Sequence, residues 1–150
     1  MRLRPEFPLP DVDWEETREF WAAAARGELC VPRCAGCARL VWYPEKRCRV
    51  CGRERFTWAR MSGRGRLFSW SVVRHAFLPQ FAAKLPYVAG LVALEEDPAV
   101  RIVSNLIDCA PEELTVDMPV EVVFRPLEFA GVQGRVLAPM FRPVEPGRRR

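Results

Sequence analysis

The sequence contains only one histidine, His75, which limits the catalytic systems it can build. A Ser-His-Asp or Cys-His system would have to use it, yet it stands in a β-type run beside Phe77, and we interpret it as structural. The carboxylates at 95–97 and 112–113 cluster in predicted turns, where water solvates them. Gly63-Arg64-Gly65 is too short to cradle phosphate and precedes a strand. An enzyme that acts alone is therefore poorly supported.

Long apolar runs are also missing. The first residues have no apolar stretch of the kind a signal peptide requires, and no segment approaches the roughly 20 apolar residues of a membrane span. We therefore expect a cytoplasmic protein that does not bind a membrane. In a reducing compartment, closely spaced cysteine pairs are metal ligands more often than disulfides.

A strong charge imbalance is absent too. The formal net charge is +4, and the last three residues, all arginine, carry three of those charges. We interpret this tail as a solubilising end, and the nearly neutral remainder gives no electrostatic reason to expect nucleic-acid binding.

What the sequence does have is six cysteines, four of them in paired motifs. Cys34, Cys37, Cys48 and Cys51 form C-x2-C, ten intervening residues, then C-x2-C, the spacing of a zinc ribbon. Four thiolates leave no open position on the metal, so we predict one structural Zn²⁺. Two disulfides or a thioredoxin-like pair are the alternatives, but no βαβ pattern surrounds either motif. The other two cysteines, 30 and 109, are interpreted as small buried apolar residues.

An amphipathic helix is predicted ahead of the ribbon. Asp11 or Asp13 can cap it, acidic residues occupy its first turn, and Gly27 can end it. Its apolar stripe can pack on the protein's own ribbon or barrel, or it can dock on a partner subunit, and the sequence leaves both open. The stripe contains Trp14, Phe20, Trp21 and Ala24, of which the first three are the candidate partner-binding residues.

Five β-type runs follow the ribbon, each bounded by proline, glycine or acidic turn residues. Five short strands with a brief helical turn before the fourth match the element order of an OB-fold barrel. The predicted strands span 66–76, 87–95, 100–107, 120–125 and 135–141, and Leu40–Tyr43 and Phe56–Trp58 are predicted to form hairpins within the ribbon. The predicted fold is therefore mainly β: a helical segment (1–28), a rubredoxin-like zinc ribbon (29–60) and an OB-fold domain with a basic tail (61–150).

These features resemble a known family. They are similar to the zinc-ribbon/OB-fold acyl-CoA-associated proteins of domain of unknown function 35. The similar parts are the helix Trp14–Arg26, the residues Leu29–Cys34 that lead into the ribbon, Pro44 before the second cysteine pair, Gly63–Gly65 and Phe68–Val73. The resemblance continues through Pro86–Ala89 and Arg101-Ile102 and covers nearly the whole chain.

The resemblance implies a partner enzyme. Proteins of this family associate with thiolase-like enzymes, including sterol side-chain aldolases, or with MaoC-type enoyl-CoA hydratases. It therefore implies a non-catalytic subunit of a hetero-oligomer that helps to form an acyl-CoA site in lipid or sterol metabolism. The 77–87 loop has the apolar and aromatic character that suits a pantetheine arm. The candidate ligand-binding residues are His75, Phe77, Phe81, Tyr87 and Arg101.

Two other functions are alternatives for a chain of this kind. Zinc ribbons and OB folds also occur in single-stranded nucleic-acid-binding modules, which stack bases on aromatic residues of the second and third strands. Here those strands offer only Tyr87, and the acidic turn 95–97 between them would repel phosphate. A self-sufficient thioesterase or hydratase would have to use His75 or Asp108, around which no organised site is evident in the sequence.

Overall fold

The computed structural model describes residues 4–145, so the basic tail at 148–150 lies outside the described part of the chain. The architecture is the predicted one: one helix, a two-stranded ribbon and a closed five-stranded barrel. The elements are α1 (Arg18–Ala25), β1 (Cys30–Cys34), β2 (Phe56–Arg60), β3 (Arg64–Val73), β4 (Tyr87–Leu94), β5 (Arg101–Leu106), β6 (Pro119–Leu127) and β7 (Val136–Pro143).

Helix α1 begins later in the chain than predicted from Asp11 and Asp13. The N-cap position is Thr17, whereas Asp11 accepts a 3.2 Å hydrogen bond from the backbone N–H of Asp13 in a separate turn. The prediction that Asp11 or Asp13 caps the helix was therefore wrong: the N–H groups of residues 17 and 18 both donate to the Trp14 carbonyl, which forms a turn ahead of the helix. Gly27, with φ of +74°, follows the helix in the left-handed conformation that glycine adopts most readily.

The barrel closes in the strand order β3-β4-β5-β7-β6. All neighbouring pairs are antiparallel except β5 and β7, whose parallel contact joins Leu106 to Phe141. Alternate residues of each strand face inward, and the barrel core contains Leu67, Val92, Ile102, Val120 and Phe141. This arrangement confirms the OB-fold prediction.

One of the two segments predicted for the ribbon forms a strand, since β2 (Phe56–Arg60) contains the predicted 56–58 piece. β1 runs antiparallel to β2 with Pro32 opposite Trp58, whereas the 40–43 segment contributes only an isolated bridge between Leu40 and Arg33. The predicted strand at 40–43 was therefore wrong. β1 was not predicted because Pro32 and two cysteines interrupt the β-type pattern of the sequence. Proline is tolerated here because β1 pairs along its length with one strand only, β2.

Two short 3₁₀ turns complete the fold. One, Pro79–Lys84, lies in the β3–β4 connection, and the other, Pro111–Glu113, precedes β6 as the sequence indicated. Within residues 4–145, no helix has both the length and the apolar character needed to cross a bilayer.

Candidate metal centre and ligand surfaces

The four paired cysteines converge at one point. Their sulfur atoms all lie within 4.8 Å of one another, with Cys34 Sγ 3.4 Å from Cys51 Sγ and Cys37 Sγ 3.7 Å from Cys48 Sγ. A tetrahedral zinc ion with bonds of about 2.3 Å separates its sulfur ligands by roughly 3.8 Å. None of these cysteines is in a disulfide. The donor set and its spacing fit a single Zn²⁺, as predicted.

Tight turns bring each pair together. The Gly36 N–H donates to Cys34 Sγ at 3.3 Å, and the N–H groups of Ala38 and Gly52 close the two knuckles by bonding to the carbonyls of Cys34 and Cys48. A Cβ atom at Gly36 would lie 2.6 Å from a side-chain carbon of Arg53 and 3.1 Å from Cys51 Sγ. Only glycine fits there without a shift of its neighbours.

The thiols are electrostatically coupled. The Cys37 backbone amide, above all, lowers the pKa of Cys34 to about 6. The pKa of Cys48 is likewise lowered, chiefly by the Cys51 backbone amide. For Cys51 the Arg53 amide acts to lower the pKa, but the Cys34 hydrogen bond, burial and the remaining sulfurs outweigh it and raise the pKa to about 11. Amide donors thus lower the pKa of Cys34 and Cys48, whereas hydrogen bonds from the neighbouring thiols and burial raise the pKa of Cys51.

This centre is structural by its donor count. All four tetrahedral positions would be filled by cysteine sulfur, which leaves none for water or substrate. A bound zinc ion would act as a cross-link between the end of β1 and the turn that carries Cys48 and Cys51. It would thereby stabilise the ribbon, whose own hydrophobic core is small. Cys30 and Cys109 stand apart from it, and the pKa of each is raised, mainly by burial.

Four of the five candidate ligand residues lie at one end of the barrel, in or beside the β3–β4 connection. The His75 ring meets Phe77 edge-on at 5.2 Å, and the Phe81 ring lies 6.1 Å from that of Tyr87. Phe77 is 91% exposed. Phe129, from the β6–β7 loop, packs 4.9 Å from Phe81 and was missed by sequence analysis, because nothing local to residue 129 indicates which loop it meets. We call this group the aromatic loop cluster: His75, Phe77, Phe81, Tyr87 and Phe129.

The fifth residue, Arg101, lies elsewhere. It pairs with Ala93 near the end of β4, six residues from Tyr87, a separation of about 20 Å along a strand. Its guanidinium carbon instead lies 3.9 Å from the centroid of the Phe68 ring. The structure therefore separates Arg101 from the other four candidates.

The three candidate partner-binding residues differ in how exposed they are. Phe20 is 5% exposed and packs in the core, so it is not available to a partner. Trp14 is 50% exposed and its ring lies 6.4 Å from that of Tyr43, while Trp21 is partly buried. Beside Trp21 lies a mostly apolar groove of about 230 Å³ between α1, β5 and β7. We call it the aromatic groove; its walls include Trp21, Trp42, Tyr43, Val103 and Met140.

His75 and Asp108 are the two residues that a self-sufficient thioesterase or hydratase would have to use. His75 is exposed beside Phe77. Asp108 forms ion pairs with Arg125 at 3.5 Å and Arg142 at 3.9 Å, which engage its carboxylate structurally. Neither arrangement is a nucleophile–base pair.

Two family models match the chain in tandem. The model described as the ChsH2 rubredoxin-like zinc ribbon domain matches residues 21–57, and that of the ChsH2 C-terminal OB-fold domain matches residues 58–125. Together they span the metal centre and most of the barrel.

Similar proteins extend this result. A DUF35 domain-containing scaffold protein of Methanocaldococcus jannaschii is 33% identical over 115 residues, which cover 75% of this chain and 79% of that protein. A similar scaffold protein of Methanothermobacter thermautotrophicus is 30% identical over 80% of this chain and 89% of its own. A probable enoyl-CoA hydratase alpha subunit of Thermomonospora curvata is 34% identical over 93% of this chain, which spans only 40% of that protein.

Solved structures agree with the sequence comparisons. A chain of an Ltp2–ChsH2(DUF35) aldolase superposes with a TM-score of 0.76 at 30% identity, covering 89% of this chain and 98% of that one. A DUF35 protein of unknown function from Sulfolobus solfataricus, 10% identical, shares the fold with a TM-score of 0.58 over 87% of both chains. The chain therefore belongs to the DUF35 family of ChsH2-type zinc-ribbon and OB-fold proteins.

Proposed function

We propose that this chain is a non-catalytic accessory subunit that binds a thiolase-like enzyme, of the thiolase or sterol side-chain aldolase type, and helps to form its acyl-CoA site. The observation that carries the proposal is the match to almost the full length of a chain in the Ltp2–ChsH2(DUF35) aldolase. The similarity to a probable enoyl-CoA hydratase alpha subunit makes a MaoC-type hydratase the second partner class.

The chemistry of the chain supports an accessory role. Its strongest site is a four-cysteine centre with no position for substrate. Its two candidate acid–base groups are an exposed histidine and an ion-paired aspartate. A subunit that binds and shapes a partner's site needs neither.

The aromatic surface supports docking through α1 and the ribbon. Trp14 and Tyr43 are each half exposed, and they adjoin the aromatic groove beside Trp21. Exposed aromatic residues that border an apolar groove are typical anchors of protein interfaces. We assign the partner contact to this face. We divide the chain into three structural units: the helical segment 1–28, the zinc ribbon 29–60 and the OB-fold domain 61–150.

The aromatic loop cluster supports the acyl-CoA role. Phe77 projects almost fully into solvent from the β3–β4 connection, while Phe81 is anchored against Phe129 and Tyr87. An exposed apolar tip on an anchored base can close one wall of a channel whose other wall the partner supplies. Lipid or sterol catabolism is the proposed metabolic setting.

Co-expression with the thiolase-like or hydratase proteins encoded beside the chain tests this function. Tagged chain should purify with one of them as a stoichiometric complex in native mass spectrometry, and thioester turnover should require both proteins. If the partner alone is fully active, or if the chain alone turns over the thioester, the proposal is wrong.

A further inference from the structure

A cleft of about 610 Å³ opens at the end of the barrel remote from the aromatic loop cluster. It lies against β3, β4 and the start of β6, and it has the size of a small-molecule site. Three arginines, 64, 66 and 101, line it together with the exposed ring of Phe68. We call it the arginine cleft.

The strand register fixes how the cations are arranged. Arg66 pairs with Ala93, and Ala93 pairs with Arg101 on its other side. Because neighbouring strands lie about 4.8 Å apart, the two arginine backbones are separated by roughly 10 Å across one small residue. Arg64 precedes Arg66 by two positions and so shares its face. Like charges this close repel unless an anion lies between them.

None of these arginines is in an ion pair within the described part of the chain, although three carboxylates line the same cleft: Glu95, Asp117 and Glu121. Arg66 donates to the backbone carbonyl of Asp117 at 3.0 Å rather than to its carboxylate. Of the carboxylates, Glu121 is held by Arg142 at 2.9 Å, and Glu95 accepts a hydrogen bond from the Ser62 hydroxyl at 3.3 Å.

Phe68 adds an aromatic wall. It is 46% exposed, and the Arg101 guanidinium stacks on it at 3.9 Å, which orients that cation beside the ring. Arginine and an exposed aromatic ring are together the usual partners of a phosphate joined to a planar base. The Asp117 carboxylate, which forms no ion pair within residues 4–145, offers an acceptor for sugar hydroxyls.

We propose that the arginine cleft binds a nucleoside diphosphate group, with its phosphates on Arg66 and Arg101 and its base against Phe68. The cleft is a second site, about 20 Å along β4 from Tyr87 of the aromatic loop cluster. The proposal rests on the proposed function for the identity of the ligand, since coenzyme A carries such a group. A free nucleotide would supply the same chemistry.

Calorimetric titration of the zinc-loaded full chain tests the proposal with coenzyme A, ADP, inorganic pyrophosphate and pantetheine. Coenzyme A and ADP should bind with similar affinity, and pantetheine should not bind. R66Q/R101Q should weaken ADP binding by about tenfold or more, because charge-assisted hydrogen bonds are lost. The double variant R18Q/R135Q removes the same charge outside the cleft and should leave binding unchanged.

Phe68→Ala separates base from phosphate recognition. This substitution should weaken the binding of ADP by roughly fivefold or more, because stacking on the ring is lost, and it should leave the binding of pyrophosphate unchanged. Zinc content and melting temperature show that each variant is folded. Absence of ADP binding at millimolar concentration, equal loss in both double variants, or pantetheine binding as tight as coenzyme A would each overturn the proposal. Thioester turnover that still requires the chain would then leave its accessory role standing.

Discussion

The sulfur atoms of Cys34 and Cys51 lie 3.4 Å apart although seventeen positions separate them in the chain. The same closure brings Cys37 to within 3.7 Å of Cys48. Each knuckle contributes to both contacts, so the ribbon between β1 and β2 is held by its thiols. A small segment closed in this way depends on its metal for folding.

Replacement of Cys48 by serine should therefore release zinc and unfold the ribbon. Cys48 is 2% exposed, and three thiolates with a hydroxyl bind zinc far more weakly than four thiolates. Zinc content by plasma mass spectrometry and hydrogen exchange across 30–60 measure the two effects. Cys109→Ser, outside the cluster, should keep full zinc content. A Cys48→Ser protein with one bound zinc would contradict the structural assignment.

Gly90→Ala should destabilise the barrel. A Cβ atom at this position would overlap the Leu106 side chain, which is 4% exposed and has little room to move. Overpacking of a closed core lowers the free energy of unfolding by about 1–3 kcal/mol. Urea titration measures the loss. In the double variant with Leu106→Ala the two losses should be less than additive, because the smaller side chain removes the overlap; strict additivity would argue against this contact.

Trp14→Ala should weaken partner binding more than it changes stability. Half of the Trp14 surface is exposed, and its ring lies beside Tyr43 at the rim of the aromatic groove. An interface tryptophan of this kind typically contributes about 2 kcal/mol or more, so the Kd should rise by roughly 30-fold. Val116→Ala, at a position 70% exposed on another face, is the matched control. Equal Kd values for the two variants would remove Trp14 from the interface.

Phe77→Ala should raise KM for acyl-CoA in the assembled complex. With 91% of its surface exposed, Phe77 makes little contribution to the fold. If it lines the acyl-CoA channel, truncation removes apolar contact and raises KM by about tenfold with kcat little changed. The Kd between the subunits, measured in parallel, should stay constant. A loss of assembly with KM intact would reassign Phe77 to the interface.

The metal centre and the barrel strands could be predicted because their signals are local. Two C-x2-C turns bring ligands together whatever surrounds them, and each barrel strand carries its own β-type residues and turn boundaries. The helix start was misplaced because aspartates 11 and 13 satisfy the same capping pattern as a helix N-terminus while serving a separate turn.

The composition of the ligand surfaces could not be predicted, because it depends on register and on packing between distant segments. Arg101 is apart from Tyr87 only because it pairs with Ala93 rather than with the other end of β4. Phe20 and Trp21 are adjacent in sequence and both line the aromatic groove, yet Phe20 is 5% exposed whereas Trp21 is only partly buried. A helical stripe alone does not show which of its members is covered.

Thioester turnover by three samples, the chain alone, the purified partner enzyme alone and the two together, tests the accessory role most directly. The account predicts no turnover by the chain, little by the partner, and full turnover by the equimolar mixture. Full activity of the partner without the chain would contradict it, as would turnover by the chain on its own.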